Sequence, residues 1–353
     1  MKHEPHTQTS TKPLTKSISK RQTKPLRVVD TKTLTRDEWL DVRLSGIGSS
    51  DAAAAIGLNP YKSALALWLE KTGRDQLMPK PDFEDDSLPT YWGNILEPIV
   101  AAHYTKRTGR KVRRINAVLQ HPNEPWMLAN IDREVIGSDE VQILECKTAG
   151  IHGSRLWRDG VPEYVQIQVM HQLAVTGKPA ADVAVLLGGQ ELQVFRIERN
   201  ETMIAQLIEL ERRFWQYVQE DTPPPVDGSD SADLALRCLF PDSNTETIDL
   251  STSEEWNNTF ERLTSVRHTL QELSAEEALL KQRIQQQLGE AGKAVFLNGV
   301  VTWKRSKDSV TLDTNKLSQE HPQLTQTYLT TKRGNRRFLI TPYATEQTNA
   351  QAA

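Results

Sequence analysis

Two acidic residues and one lysine, Asp132, Glu145 and Lys147, occupy a short stretch of this 353-residue chain. Strand-forming runs flank the turn-prone segment 137–139, and this pattern predicts a β-hairpin. Because side chains alternate between the two faces of a strand, Glu145 and Lys147 are expected to point to the same side. Asp132 on the preceding strand can reach that point too, so the hairpin is predicted to bring two carboxylates and an ammonium group together.

Paired carboxylates of this kind indicate a cation site. Two carboxylates at one point repel each other unless a cation lies between them. Oxygen ligands suit a hard divalent ion, so Asp132 and Glu145 are predicted to bind Mg²⁺, with Mn²⁺ as an alternative ion and the Cys146 carbonyl as a third ligand. Lys147 would then hold and help to deprotonate an attacking water. A cross-strand salt bridge among the three charged residues remains the alternative.

Composition excludes several classes of protein. A formal net charge of −3 argues neither for nor against a polyanionic partner. With two cysteines there is no disulfide framework and no four-thiolate metal or iron–sulfur site, which fits a reducing cytoplasm. No apolar run approaches the roughly 20 residues of a membrane span, and the N-terminus lacks the apolar core of a secretory signal. A cytoplasmic protein without a membrane partner is therefore expected.

Changes in composition divide the chain into five parts. Residues 1–32 are basic and poor in large apolar side chains, which predicts a disordered tail. The main folded domain is predicted over 33–222, where a triple-proline segment begins, and residues 223–250 are predicted to be a linker. Residues 251–342 hold a long helix with a near-heptad pattern and an Asn-Gly hairpin. Residues 343–353 are predicted to be a second disordered tail.

Arg43 and Ser50 flank a glycine- and serine-rich segment that precedes a short alanine-rich helix. Backbone N–H groups at such a point bind anions, and Arg43 can add a bidentate grip on phosphate. The alternative is that Ser50 or Asp51 only caps the helix.

A second basic segment, 106–114, holds six basic residues and no acid. Lysine and arginine dominate non-specific DNA affinity, so Arg110, Lys111 and Arg113 are predicted to follow a phosphate backbone. A solvated turn is the alternative.

Glu97 and Gln166 are two further candidates. Glu97 lies three residues after Asn94, at the predicted start of a helix over 95–108, so it is either a helix-start cap or a ligand beside the acidic pair. Gln166 is predicted to lie on the apolar stripe of a later helix that includes Leu173. An amide on such a stripe needs a hydrogen-bond partner, which a metal-bound water or a substrate phosphate would supply.

The candidate motifs occur in a recognisable order. They are Arg43 to Asp51, Gly93-x-x-x-Glu97, Asn130-Ile131-Asp132, Leu144-Glu145-Cys146-Lys147 and Tyr164-x-Gln166-x-Gln168. This order resembles the PD-(D/E)XK nuclease superfamily and, more narrowly, the YqaJ viral recombinase family, which includes the lambda-phage-type exonuclease. The resemblance covers roughly residues 34–220. It implies an α/β fold with a restriction-endonuclease-like core, a mixed central sheet flanked by helices, extended at the C-terminus by the helical, coiled-coil and β-hairpin region.

The resemblance also implies roles for the candidate residues. Asp132, Glu145 and the main-chain carbonyl between Glu145 and Lys147 would hold one or two Mg²⁺ ions, and Glu97 would bind the second ion or its water. Lys147 would activate the nucleophilic water and Gln166 would help to position it. The implied reaction is phosphodiester hydrolysis, so the resemblance predicts a magnesium-dependent deoxyribonuclease.

The implied substrate is linear double-stranded DNA, digested from 5′ to 3′ so that a 3′ single strand remains. Arg43 and Ser50 match residues that bind the 5′-phosphate in such enzymes. Relatives form a ring-shaped trimer and pass the exposed strand to a single-strand annealing protein during recombination of a phage or mobile element in a bacterial host. Asn130-Ile131 departs from the Ser-Pro of many relatives, which puts a substrate contact there in doubt.

Three other readings stay open. The chain could be an endonuclease of the same superfamily, or a Cas4-like nuclease, although two cysteines cannot hold the iron–sulfur cluster of the latter. It could also be a catalytically silent DNA-binding module. A silent module usually lacks one of the acids or the lysine, and all are present here.

Overall fold

The structure is a computed structural model that describes residues 24–79, 85–332, 334 and 336–342, apart from the side chains of residues 36 and 37. The chain divides after Phe240 into two compact units. Most of the predicted N-terminal tail, 1–23, and all of the predicted C-terminal tail, 343–353, lie outside the described residues.

The first unit alternates strands and helices. Its elements in chain order are β1 (Leu26–Asp30), α1 (Arg36–Leu44), β2 (Ile47–Gly48), α2 (Ala52–Ala55), α3 (Ala64–Lys71), α4 (Pro89–Thr108), β3 (Lys111–Arg113), β4 (Ala117–Gln120), β5 (Met127–Ala129), β6 (Arg133–Ile136), β7 (Ile143–Ala149), α5 (Glu163–Thr176), β8 (Ala180–Leu187), β9 (Glu191–Glu198), α6 (Glu201–Gln219) and α7 (Asp230–Leu239).

A mixed five-stranded sheet, ordered β3-β6-β7-β8-β9, forms the centre of the first unit. Strands β6 and β7 are the antiparallel arms of the predicted hairpin, and β7 and β8 run parallel because α5 connects them. Helix α4 packs on one face of β7 and β8, and α5 lies against the other face of the sheet. The predicted fold class, a restriction-endonuclease-like α/β core with a mixed sheet between helices, is therefore confirmed.

Residues on β7 divide between the two faces of this sheet. Leu144 belongs to the apolar cluster of α4, whereas Ile143 belongs to the cluster of α5. The period of two then places Glu145 and Lys147 on the face of α5. The prediction that these side chains share one face is confirmed.

A second sheet, ordered β1-β4-β5-β2, corrects the predicted limit of the N-terminal tail. The tail was predicted to extend through residue 32, but β1 pairs along β4, with Leu26 opposite Gln120. A run of five residues with three apolar side chains forms an edge strand here because β4 offers free backbone groups. A strand this short is difficult to predict from the sequence because the residues before and after it are mostly polar.

Helix α7 corrects the predicted linker over 223–250. Ser229 caps the helix by accepting a hydrogen bond from the Ala232 N–H at 3.2 Å, and the Ser231 hydroxyl accepts one from the Ser63 N–H at 2.9 Å. Its fully buried residues are Ala232 and Ala235, which let the helix approach α3 closely, and Leu239 packs partly buried against the same cluster. The first compact unit therefore reaches Phe240 instead of residue 222.

A buried polar contact fixes the position of α5. His171 Nδ1 lies 2.7 Å from Glu211 Oε1 on α6, and its Nε2 lies 2.9 Å from the Leu128 carbonyl on β5. Burial lowers the pKa of His171, but Glu211 and the Leu128 carbonyl outweigh burial, so the net pKa is raised. The Leu128 carbonyl can only accept, so Nε2 donates to it, and the ring joins α5 to α6 and β5.

The second unit contains the predicted long helix and hairpin. Its elements are α8 (Glu254–Leu288), β10 (Lys293–Phe296), β11 (Gly299–Thr302), α9 (Thr314–Glu320) and α10 (Pro322–Thr327). The predicted helical and β-hairpin extension is confirmed. Among the described residues, no helix combines the length and apolar character needed to cross a membrane.

Candidate active site

The β6–β7 hairpin brings the three predicted charged residues together. Lys147 Nζ lies 2.7 Å from Glu145 Oε1, and both side chains point toward α5. Asp132 lies just before β6, and its Oδ2 accepts a hydrogen bond from the Cys146 N–H at 2.8 Å. In an extended strand the N–H and C=O of one residue point to the same edge, so the Cys146 carbonyl also lies on the Asp132 side.

With both acids ionised, the charges at this point do not balance without a further cation. Burial raises the pKa of Asp132 to about 8, and the adjacent Glu145 raises it too, against the opposing effects of the Cys146 N–H and Lys147. Burial lowers the pKa of Lys147, but Glu145 and Asp132 outweigh it, so the net pKa is raised. The salt bridge of the alternative interpretation is present between Lys147 and Glu145, but Asp132 has no cationic partner of its own among the described residues.

Gln166 lies on α5 as predicted, but its amide pairs with the start of that helix and not with the charged residues. Its side chain is exposed, and its Nε2 donates to the Val161 carbonyl at 2.6 Å. Neighbouring residues on a helix are about 100° apart, so Gln166 points away from the side that carries Gln168. Gln166 and Leu173 are seven residues apart and share the predicted stripe, but Gln166 is exposed and its amide is already paired. The proposed water-positioning role of Gln166 therefore loses its structural basis.

Gln168 and Gln172 contact the charged residues instead. Gln168 donates to Glu145 Oε1 at 2.6 Å and accepts from Lys147 Nζ at 2.9 Å. The fully buried Gln172 donates to Glu145 Oε2 at 2.7 Å, while its Oε1 has no partner among the described residues. Tyr164, Gln168 and Gln172 recur at a spacing of four, which is the sequence signal that would have identified this face.

These contacts separate the two glutamines experimentally. Gln168→Ala removes the amide that joins Glu145 to Lys147, so for the phosphodiester hydrolysis that the sequence resemblance implies we expect the rate to fall by at least about tenfold. Gln166→Ala, its matched control two residues away, is expected to retain the wild-type rate. Single-turnover cleavage of an end-labelled duplex measures both variants. A larger loss with Gln166→Ala than with Gln168→Ala would contradict this assignment.

Glu97 is paired with arginines. Its Oε1 lies 2.5 Å from Arg133 and 3.3 Å from Arg114, two residues that sequence reasoning did not select. Helix α4 begins at Pro89 and not near residue 95, so the alternative of a helix-start cap is also wrong. Arg133 Nη1 nevertheless donates both to Glu97 Oε1 and, at 2.6 Å, to the Asp132 carbonyl, so Glu97 lies close to Asp132.

The donors that remain for a divalent ion are few. Within the described parts of the chain, no group of three or more His, Cys, Asp or Glu side chains is arranged to hold a metal. Asp132, Glu145 and the Cys146 carbonyl fit Mg²⁺, which commonly binds one or two carboxylates and completes its shell with water and substrate phosphate. The raised pKa of Asp132 supports this fit, because a bound cation would remove the repulsion between the two acids.

Arg43 and Ser50 are also brought together, in a separate cluster. The Arg43 guanidinium donates to Ser50 Oγ at 3.2 Å and to Asp51 Oδ1 at 2.8 Å. Asp51 makes no cap to α2, so the capping alternative is wrong for that residue. Its carboxylate instead accepts from the buried Lys71 at 2.8 Å, a contact that the sequence did not reveal.

This cluster holds Arg43 in a fixed place. Burial raises the pKa of Asp51, but Lys71 and Arg43 outweigh burial and keep that pKa well below its usual range. Burial lowers the pKa of Lys71, whereas Asp51 raises the pKa of Arg43, so the guanidinium beside the exposed Ser50 is the firm positive charge of this cluster. An anion is the ligand that such a cluster favours.

The predicted patch at 110–113 is partly neutralised. Arg110 pairs with Glu140 at 2.9 Å and Arg113 pairs with Glu134 at 2.6 Å. Lys111 is exposed on β3 and has no ion pair among the described residues. Phosphate binding by these three residues stays a prediction, with Lys111 the best placed of them.

Comparison with known proteins places this arrangement in a family. The sequence profile of the YqaJ-like viral recombinase domain matches residues 38–179. The chain is 34% identical over 296 residues to the uncharacterized protein YqaJ of Bacillus subtilis (strain 168), covering 82% of this chain and 90% of that protein.

Solved structures give weaker similarities. The alkaline exonuclease LHK-Exo from Laribacter hongkongensis is 20% identical with a TM-score of 0.45, covering 52% of this chain and 93% of that one. A phage-related exonuclease from Haemophilus somnus 129PT is 13% identical with a TM-score of 0.38, covering 50% of this chain and 94% of that one.

Proposed function

The chain belongs to the YqaJ-like viral recombinase family, and from that membership we propose that it is a metal-dependent exonuclease acting on linear double-stranded DNA. The proposal rests chiefly on the convergence of Asp132, Glu145 and Lys147 at one buried point. Two acids and a lysine in this arrangement support phosphodiester hydrolysis better than a purely structural role, because the structural role leaves Asp132 uncompensated.

Asp132, Glu145 and the Cys146 carbonyl would hold Mg²⁺ or Mn²⁺, which when bound stabilises negative charge on the phosphate oxygens. Lys147 is kept in place by Glu145 and Gln168, at 2.7 and 2.9 Å from Nζ. The free acids keep this amine protonated, so neutralising them would lower the pKa of Lys147 and let Nζ take a proton from water. Gln168 replaces Gln166 as the residue proposed to orient that water.

Arg43 and Ser50 are proposed to bind the 5′-phosphate of a DNA end. The anion would meet the Arg43 guanidinium and the Ser50 hydroxyl, which already lie 3.2 Å apart. Such a contact selects one strand end, and digestion would then proceed from 5′ to 3′ and leave a 3′ single strand. We propose that the phosphate backbone of the duplex, away from the 5′ end, contacts Lys111, Arg110 and Arg113.

The product suggests the partners. A 3′ single strand is the substrate of a single-strand annealing protein, so we place the enzyme in homologous recombination of a phage or mobile element in the bacterial cytoplasm. A closed ring of subunits, a trimer as the family resemblance implies, would keep the enzyme on one duplex through many cleavages. Glu97 is proposed to help bind a second ion or its water once Arg133 and Arg114 have moved away.

Cleavage of matched substrates tests the proposal. Wild-type protein is incubated with Mg²⁺ or with EDTA on a 5′-phosphorylated linear duplex labelled at either end, on its 5′-hydroxyl counterpart and on a closed circle. We expect early release of the 5′ label, delayed loss of the 3′ label, slower cutting of the 5′-hydroxyl duplex, and no reaction on the circle or in EDTA.

Each other result selects a different function. Cutting of the closed circle would favour an endonuclease. Early release of the 3′ label would reverse the proposed polarity. Inertness toward every substrate with both Mg²⁺ and Mn²⁺ would favour a DNA-binding module.

A further inference from the structure

Tyr61 is an exposed aromatic side chain at the edge of the candidate active site. Its side chain is 66% exposed, although tyrosine ordinarily buries most of its ring. It contacts Tyr164 edge to face, with ring centroids 5.8 Å apart and planes at 88°. One side of the Tyr61 ring is therefore supported while much of the rest faces solvent.

Tyr164 connects this ring to the charged residues. It lies four residues before Gln168 on α5, so the two side chains share one face of the helix. Gln168 in turn accepts a hydrogen bond from Lys147 Nζ at 2.9 Å. Tyr61 thus stands one aromatic ring away from the amine that we propose to activate water.

The loop that carries Tyr61 is held in shape by its own contacts. Asn59 Oδ1 accepts hydrogen bonds from the N–H groups of Tyr61 at 2.8 Å and Lys62 at 3.1 Å. Lys62 is further anchored by a 2.7 Å ion pair with Glu70 on α3. An exposed ring on a fixed loop loses little conformational entropy when a ligand stacks on it.

We propose that Tyr61 stacks on the nucleobase next to the scissile phosphate at a DNA end. The inference rests on the proposed function, because the phosphodiester must lie at Lys147 for its base to reach this ring. Stacking uses the π-face that every base has, so this contact would be insensitive to sequence, as degradation of any DNA end requires. Tyr164 would support the ring from the opposite edge.

A fluorescent base tests this directly. The probe is a duplex whose 5′-terminal base is an unpaired 2-aminopurine, bound in EDTA so that no hydrolysis follows; stacking on an aromatic ring quenches its emission. We expect quenching by the wild type and by Tyr61→Trp, and loss of quenching with Tyr61→Ala. With Mg²⁺, Tyr61→Ala is expected to raise KM for DNA roughly 5- to 100-fold while kcat changes less.

Leu58→Ala is the matched control, because Leu58 is a 46% exposed residue on the same loop and lacks an aromatic ring. It is expected to behave as the wild type. Tyr61→Ala with wild-type quenching and wild-type KM would overturn the stacking proposal and leave the nuclease proposal intact. A wild type that quenches the probe but cuts no DNA would overturn the nuclease proposal while supporting stacking.

Discussion

Replacing Lys147 with alanine is expected to lower the rate of DNA hydrolysis by about 10²- to 10⁴-fold, the usual contribution of a positioned acid or base. Lys147 Nζ is held by Glu145 and Gln168, and its backbone pairing with β8 is unaffected by the substitution. Affinity for DNA ends is expected to stay within a few-fold of the wild type, because Arg43 and Ser50 are unchanged. Single-turnover cleavage and a binding titration in EDTA measure the two quantities separately.

Lys178→Ala is the matched control. Lys178 is also a lysine, but it follows the C-terminal end of α5, whereas Gln168, which contacts Lys147, lies nearer the N-terminal end of that helix. It is expected to hydrolyse DNA at the wild-type rate. A Lys147→Ala protein with full activity would remove the lysine from the chemistry. Equal losses in binding and hydrolysis would instead assign Lys147 to DNA binding.

Asp132→Asn is expected to abolish metal-dependent activity and to stabilise the metal-free protein. Burial raises the pKa of Asp132 to about 8, against an unfolded value of 3.8, so the folded state binds one more proton between these values. The free energy of unfolding of the wild type therefore falls as pH rises from about 4 to 8. An asparagine carries no charge, and its Oδ1 can still accept the Cys146 N–H, so this loss disappears in the variant.

Thermal unfolding in EDTA between pH 5 and pH 8.5 measures this effect. At pH 8 the variant is expected to be more stable than the wild type by at least about 1 kcal/mol, and its Tm to be higher by roughly 2–4 °C for a unit of this size. This difference in stability between the variant and the wild type is expected to disappear toward pH 5. At pH 8 it is expected to become smaller when Mg²⁺ is added to the wild type. A variant less stable than the wild type at every pH would show that the Asp132 carboxylate is not strained in the metal-free fold.

The hairpin and its charged residues could be predicted from the sequence because they depend on local rules. A turn between two strand-forming runs fixes which side chains share a face, and Glu145 and Lys147 follow directly from it. The contribution of Gln168 and Gln172 to the site was harder to predict from the sequence. The resemblance selected Gln166, whereas the spacing of four from Tyr164 on the predicted helix assigns Gln168 and Gln172 to the site.

Residues that act across long sequence separations were not predictable. Arg133 meets Glu97 only because α4 packs beside β6 and β7, and Lys71 meets Asp51 only because α3 folds back past α2. The four-residue α2 shows a related limit, because its glycine- and serine-rich start suggested a cap where the structure has an ion-pair cluster. Helix α7 was not predicted either, because its fully buried residues are two alanines, which give only a weak apolar pattern in the sequence.

Binding of Mn²⁺ to the intact protein, followed by electron paramagnetic resonance, tests most directly whether Asp132 and Glu145 share a cation. The wild type is expected to bind the ion, and Asp132→Asn and Glu145→Gln are each expected to weaken binding by more than about tenfold. Glu140→Gln, which alters a carboxylate 70% exposed to solvent, is expected to bind as the wild type does. Unchanged Mn²⁺ affinity in both site variants would contradict a shared ion and, with it, the nuclease chemistry proposed for this chain.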